Sequence, residues 1–378
     1  MDDMIYISGC NSYDSNLIKA SLKEILIDSK LLSFVKKGMK IGIKANLVSA
    51  MKPDTAATTH PLVIKELCKI LLDMGATVVI GDSPGGLFNK QNLDHIYKVT
   101  EMTSLVEENV SLNYNFTESV KNCDGLVVKV LDCSNWLFEC DALINICKLK
   151  THGMMNLSCA VKNLFGTVPG LKKPEYHYRY PDHTDFANML IDINEFYNFN
   201  LNIVDAITGM EGNGPTSGTP KHIGCLIAGT NPYNIDLVAS KLINLDPNLV
   251  PTIVESKKRN LITDFKTNIN IDKFIVKDYE LITEVGEIEF KNKFGIFSKI
   301  INPIVKKMLK VKPKVTKSEC IGCKKCYNIC PAKAITMVNG KPKINRKICI
   351  RCFCCQEFCP VGAMKTKRNP LINKIMKM

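Results

Sequence analysis

Cys320-Ile321-Gly322-Cys323-Lys324-Lys325-Cys326-Tyr327-Asn328-Ile329-Cys330-Pro331 is followed, 29 residues on, by Cys349-Ile350-Arg351-Cys352-Phe353-Cys354-Cys355-Gln356-Glu357-Phe358-Cys359-Pro360. Both spell C-x2-C-x2-C-x3-C-P. Three thiolates at i, i+3 and i+6 on a tight loop grip three irons of one cubane, and the fourth, at the turn beyond, completes the cubane of the other half. The spacing therefore assigns Cys320, Cys323, Cys326 and Cys359 to one 4Fe-4S cluster and Cys349, Cys352, Cys355 and Cys330 to a second. Structural zinc also uses C-x2-C pairs, but it has no use for a doubled triplet followed by Cys-Pro.

Outward from these motifs the two halves still match, with Ala334-Ile335 aligned on Ala363-Met364 after each Cys-Pro. Between them Asn339-Gly340 separates two short strand-like runs, and both turn residues tolerate positive φ, which predicts a hairpin. Residues 314–378 resemble the bacterial two-cluster ferredoxins, a resemblance that implies a small α+β domain carrying two 4Fe-4S clusters. Cys354 stands outside the repeat and is expected to be a small buried thiol.

The 378-residue chain has a net charge of +13, which is unevenly distributed. Residues 301–378 hold 19 Lys or Arg against Glu319 and Glu357, giving +17, so the other 300 residues sum to −4. A positive field around the clusters would steer an acidic redox partner protein. Nucleic acid is the disfavoured reading of that face, because the lysines lack interleaved aromatics. Compensation of cluster charge accounts for part of the excess. The start of the chain, Met1-Asp2-Asp3, lacks the positive charge of a secretory leader, and no apolar run is long enough for a membrane span. Eight further cysteines are scattered through apolar runs. A reduced, cytoplasmic setting in an anaerobic or microaerobic host is expected.

Residues 1–290 alternate β-type runs (39–48, 76–80, 141–147, 201–207 and 223–228) with helical stretches (60–75, 156–165, 184–199 and 235–245). Alternation of this kind predicts an α/β domain with a mostly parallel sheet, followed by the small ferredoxin-type domain. The intervening residues 291–313 read as a basic amphipathic connector that packs on a neighbouring domain.

Four polar segments sit where strands of such a sheet end, the place ligands gather. They are Lys44-Ala45-Asn46-Leu47 leading to Thr58-Thr59-His60-Pro61; Gly81-Asp82-Ser83-Pro84-Gly85-Gly86; Lys148-Leu149-Lys150-Thr151-His152 with Lys162-Asn163-Leu164-Phe165-Gly166; and Met210-Glu211-Gly212-Asn213-Gly214-Pro215. Through Lys-Thr-His, Lys-Asn-Leu-Phe-Gly and Glu-Gly-x-Gly-Pro, residues 38–245 resemble the family named only as domain of unknown function 362. That resemblance implies a ferredoxin-fused architecture and little mechanism.

The candidate roles come from the residues. Gly81, Asp82, Ser83, Gly85 and Gly86, with Asn163, could bind a cofactor, the glycines offering backbone N–H groups to a phosphate or carboxylate. The loop lacks the Lys-Ser/Thr of a nucleotide P-loop, and a plain turn is the competing reading. Lys150, Lys162, Lys172 and Lys173 could hold a small anionic substrate or cofactor. His152, Lys150, Lys162 and Glu211 are the candidate catalytic groups. His60, His177 and His183 also fall in these loops, and two of the histidines converging on Asp82, Asp205 or Glu211 would make an acid–base pair or a metal site. The leading expectation is a ferredoxin-linked oxidoreductase. The alternatives are a non-catalytic electron-transfer or maturation subunit that binds a partner protein, and a metal-dependent acid–base enzyme with structural clusters.

Overall fold

The computed structural model describes residues 3–281 and 311–367. In chain order the larger domain runs β1 (Asp3–Gly9), α1 (Ser15–Leu22), β2 (Lys40–Lys44), α2 (Pro61–Asp73), β3 (Thr77–Gly81), α3 (Lys90–Val99) and β4 (Val110–Leu112). An antiparallel ribbon of β5 (Glu118–Asn122) and β6 (Val130–Ser134) follows, then β7 (Ala142–His152), β8 (Asn156–Ser158), α4 (Ala160–Asn163), α5 (Lys172–Arg179) and α6 (His183–Tyr197). The domain closes with β9 (Leu201–Glu211), β10 (Thr219–Gly229), α7 (Pro232–Leu242), α8 (Pro251–Lys258) and β11 (Phe265–Thr267).

The main sheet has the order β11-β1-β10-β9-β7-β2-β3-β4, with β8 folded back on β7. From β9 to β4 every neighbour is parallel, and β10 enters antiparallel between β1 and β9. The expected α/β class with a mostly parallel sheet is therefore present. Successive residues of a central strand face opposite cores, as the pleat requires. Ile203 packs with α1 and α2 residues such as Ile18 and Leu67, whereas Val204 packs with Val238 and Leu242 of α7. Both faces of β7 are covered, so its hydrophobic run lacks alternation.

Two boundaries differ from expectation. The stretch 156–165 begins as β8, because Asn156 takes a positive φ of 63° and turns the chain back so that Ser158 pairs with Lys150; helix starts only at Ala160. The first parallel strand stops at Lys44, where the Ala45 amide turns to the Gly81 carbonyl (3.0 Å) and the chain leaves the sheet. Residues 291–310 of the expected connector lie outside the described residues.

The small domain pairs β12 (Lys312–Val315) with β15 (Met364–Lys367), and β13 (Ile335–Val338) with β14 (Lys341–Ile344). The second pair turns on Asn339 and Gly340 with φ of 49° and 71°, the conformation the dipeptide predicts. This domain is clamped onto the larger one. Gln356 Nε2 donates to the carbonyls of Asn213 (3.0 Å) and Gly214 (3.1 Å), and the Thr366 amide donates to Asn213 Oδ1 (2.9 Å). The Glu-Gly-x-Gly-Pro loop is thus a docking surface. Phe358 lies over Gly85, where a Cβ would come within 2.4 Å of the Phe358 ring. Gly85→Val should therefore push the small domain off its seat, an overpacking cost of about 1–3 kcal/mol. Limited proteolysis should then cut residues 311–367 faster while the sheet resists; an unchanged digestion pattern would refute this contact.

Candidate functional site

Strands β2 and β3 end side by side at Lys44 and Gly81, while β7, paired with β2 up to Asn145, runs on to His152. Their carboxyl ends open into a cleft, in the position the topology favours for ligands. Its floor is built from Lys44, Asp82, Lys150 and Asn163. The segment after β8 contributes Lys162, Phe165, Lys173 and His177 as one wall, and Cys354, Glu357 and Phe358 of the small domain form the roof.

Desolvation decides the electrostatics here. Lys44 is fully buried and pairs with Asp82 at 2.8 Å, while its ammonium also donates to the Ala45 carbonyl (2.6 Å). Burial pulls the Lys44 ammonium down, and the Asp82 charge opposes it. The second Asp82 oxygen accepts from the Leu47 amide (2.8 Å). Gly166 must lack a side chain, since a Cβ there would stand 2.1 Å from Asp82 Oδ1.

Lys150 has no such carboxylate. Its ammonium donates to Asn46 Oδ1 (2.6 Å) and the Ala57 carbonyl (2.7 Å), and burial, aided by the nearby Lys162 charge, pushes it down to about 7. Lys173 donates to the carbonyls of Ser83 and Val168 and is likewise pushed to about 7 by burial, against the pull of Asp82. Lys162 makes no ion pair within 4 Å among the described residues, and its Nζ lies 5.8 Å over the Phe165 ring. His177 stacks on Phe186 at 4.4 Å, and its buried Nδ1 has no hydrogen-bond partner; burial pushes it to about 3, so it is neutral.

His152 is placed differently from a free acid–base group. Its Nδ1 accepts the amides of Met154 (3.0 Å) and Met155 (3.1 Å), which leaves the proton on Nε2 to be donated to Glu357 Oε1 at 2.7 Å. Burial pushes His152 to about 4. Burial opposes the Glu357 charge, but Lys162 and the His152 bond overcome it and hold the carboxyl well below the usual range. His152 is thus a positioning residue for Glu357, across the domain boundary.

Of the other sequence candidates, Asp82, Ser83, Gly85 and Asn163 line the cleft, and Gly81 and Gly86 do not. The glycine loop is not a free N–H cradle: the Ser83 amide donates to the Gly166 carbonyl (3.0 Å) and the Gly85 amide to the Val48 carbonyl (3.1 Å). Lys172 turns away to Asp132 at 3.2 Å. Glu211 lies apart from the cleft, its carboxylate accepting the Glu280 amide (2.8 Å). His60 and Asp205 belong to a separate buried group, in which Lys148 pairs with Asp205 (2.9 Å), Tyr13 donates to Asp205 (2.9 Å) and His60 stacks on Tyr13 (3.7 Å). His183 opens α6 and is not a cleft residue. Sequence reasoning overlooked Glu357 and Phe358. The available signal was that Glu357 is one of two acids in a segment of 19 basic residues.

The cysteines cross over between the two halves. Burial and then the thiols of Cys323, Cys359 and Cys320 raise the Cys326 thiol; burial and then Cys352 and Cys349 raise that of Cys330. Cys330, Cys349, Cys352 and Cys355 surround a space of their own, bordered by Cys354. Among the described residues no three His, Cys, Asp or Glu side chains converge as a single ion would need. Four sulfurs around that space fit a cubane, whose irons lie between them.

The family described as domain of unknown function (DUF362) matches residues 41–241, and the 4Fe-4S dicluster domain matches residues 312–360. With over half of its length matched, the chain belongs to the DUF362 family, and it carries a 4Fe-4S domain. It is 28% identical over 257 residues to the thylakoid-associated protein sll1697 of Synechocystis sp., covering 66% of this chain and 77% of that one. A solved structure, the lactate racemase apoprotein from Thermoanaerobacterium thermosaccharolyticum, aligns with a TM-score of 0.41 at 10% identity. The alignment covers 62% of this chain and 57% of the racemase. No helix among the described residues is long and apolar enough to cross a membrane.

The lysines make stability depend on pH. Folded Lys150 and Lys173 lose their protons near pH 7, against 10.5 ordinarily. Between these values the unfolded chain binds more protons, so the ligand-free protein should gain stability as pH rises from 7 towards 10. Urea midpoints across that range should rise, and the slope should shrink in Lys150→Met. In contrast, Lys44→Met strands the buried Asp82 and should cost about 3–5 kcal/mol at pH 7.

Proposed function

We propose that this member of the DUF362 family is an iron–sulfur oxidoreductase that moves electrons between an acidic carrier protein and a small anion held in the cleft. Two 4Fe-4S clusters would be held by Cys320, Cys323, Cys326 and Cys359 and by Cys349, Cys352, Cys355 and Cys330. The observation that carries this reading is the shared wall at Cys354, which borders both the cleft and the space enclosed by the second cysteine set. A ligand in the cleft would lie directly beside that set.

The chain's own residues do the binding. Lys150 and Lys173 supply positive charge that no carboxylate pairs with, Lys162 stands beside Glu357, and the roof and apolar wall keep water away, which strengthens each contact. Asn163 orients Lys44, accepting from its ammonium at 3.2 Å, and ties it to Asn46. His152 acts through Glu357 and the docking of the small domain. Glu211 has no part in this reading. The reduced, cytoplasmic and oxygen-poor setting suits the many buried thiols and the exposed Cys323. A purely structural or carrier subunit would not need Lys150 and Lys173 buried in a cleft without a carboxylate, since unmatched buried charge is costly.

The test uses the full chain, purified without oxygen and reduced with dithionite. Lys162→Met should keep its iron and its cluster absorbance yet lose roughly 10²-fold in anion-dependent reoxidation, the usual effect of deleting one stabilising cation or donor from a closed site. His152→Ala should lose reoxidation together with domain docking, and His152→Gln, which can still donate, should recover part of both. Wild-type reoxidation rates in Lys162→Met would reject the cleft as the electron acceptor site.

A further inference from the structure

We propose that the anion in the cleft is a small dicarboxylate, one carboxylate held by Lys150 and the other by Lys173, with Lys162 between them. This deepens the electron-accepting reading above and rests on it. The charge count comes first. The lining carries Lys44, Lys150, Lys162 and Lys173 against Asp82 and Glu357, a surplus of two positive charges. Asp82 is taken by Lys44, and Glu357 is the acid nearest Lys162. The surplus therefore falls on Lys150 and Lys173, each satisfied only by neutral oxygens: Asn46 and Ala57 for the first, Ser83 and Val168 for the second.

The two lysines reach the cleft from different elements, Lys150 from β7 and Lys173 from α5. Their ammonium groups are also held by different neighbours, Lys150 by Asn46 and Ala57 and Lys173 by Ser83 and Val168. Two separated point charges match two separated carboxylates better than one compact dianion. The backbone argues the same way. A phosphate is ordinarily cradled by free N–H groups or an arginine fork. Here the Ser83 and Gly85 amides already donate to carbonyls, Pro84 has none, and the Ala160 amide is capped by Asp236 (2.7 Å). No arginine lines the cleft. Beside the lysines, Phe165, Phe358, Pro174 and Pro215 offer apolar surface suited to a short carbon chain. The buried His177 Nδ1, without a partner of its own, is left to hydrogen-bond a polar substituent on that chain.

The experiment is isothermal titration calorimetry on the anaerobic, cluster-loaded full chain with succinate, butyrate and inorganic phosphate. Succinate should bind at least about tenfold more tightly than either of the others, a difference of ~1.4 kcal/mol. Lys150→Met and Lys173→Met should each bring succinate down to the affinity of butyrate. Lys172→Met, one residue away and paired outside the cleft, should leave it unchanged and serves as the folding control. Because Lys150 and Lys173 free of ligand titrate near 7, succinate should bind with proton uptake above that pH, and its affinity should fall as pH rises. Butyrate or phosphate binding as tightly as succinate overturns the dicarboxylate and leaves the electron-accepting cleft standing. Fumarate, an unsaturated dicarboxylate, can take up two electrons and two protons as succinate cannot; its binding to the reduced protein without changing cluster reoxidation overturns the electron-transfer reading instead. No heat with any of the three overturns both.

Discussion

A lysine ammonium taken out of water must find a carboxylate, find several neutral oxygens, or give up its proton. That constraint organises the edge of the sheet. Lys44, Lys148 and Lys150 are all buried at the ends of two adjacent central strands. Asp82 and Asp205 arrive from β3 and β9 to match the first two, and each carboxylate also accepts backbone amides at the strand exits. These pairs hold the loops after β2, β3, β7 and β9 in one arrangement. Lys150 is left with neutral partners, so the cation without a carboxylate sits where the cleft opens.

The small domain depends on the same edge. His152 is the last residue of β7, and its ring is set by two amides so that it donates outward to Glu357. Glu357 lies between two cysteines of the second motif, in the short helix Cys354–Glu357. A displacement of β7 would therefore shift both Lys150 and the roof above it. Thr151, between them, donates to the Gly212 carbonyl (2.8 Å) and so braces the docking loop from below. The Lys-Thr-His run thus supplies a cleft lysine, a brace and a clamp in three consecutive residues, two of them directed at the domain boundary.

Some of this was legible in the sequence because the signals are local. Asn339-Gly340 predicts a hairpin, and it turns there; Cys330 of the first cysteine motif borders the same space as Cys349, Cys352 and Cys355 of the second. The polar strand exits were legible one by one, and the structure brings Lys44, Asp82, Lys150 and Asn163 from three of them to one cleft. What escaped was tertiary. Nothing in a linear reading says that Gly85 is bare because Phe358, 273 residues later, lies on it. Lys172 and Lys173 look equivalent in sequence, yet one turns outward to Asp132 and the other inward to Ser83. Glu211 looked reactive beside its glycines, but those glycines serve docking. The run 156–165 has helical spacing, but pairing with β7 claims its first three residues.

The choice of lysine over arginine in the cleft follows from the same physics. An arginine there would stay charged at any pH the protein meets, and a buried surplus of two such charges would be a standing cost. Lysine can shed the proton when the cleft is empty, and burial has brought Lys150 and Lys173 to about 7, where both states are populated. A ligand carrying negative charge then restores the ammonium form and takes up a proton from solvent as it enters. The empty fold is thereby spared part of the desolvation penalty, and a bound anion would raise the share of the charged form. Lys44 and Lys148, paired with carboxylates at 2.8 and 2.9 Å, form the frame beside which Lys150 and Lys173 stand without one.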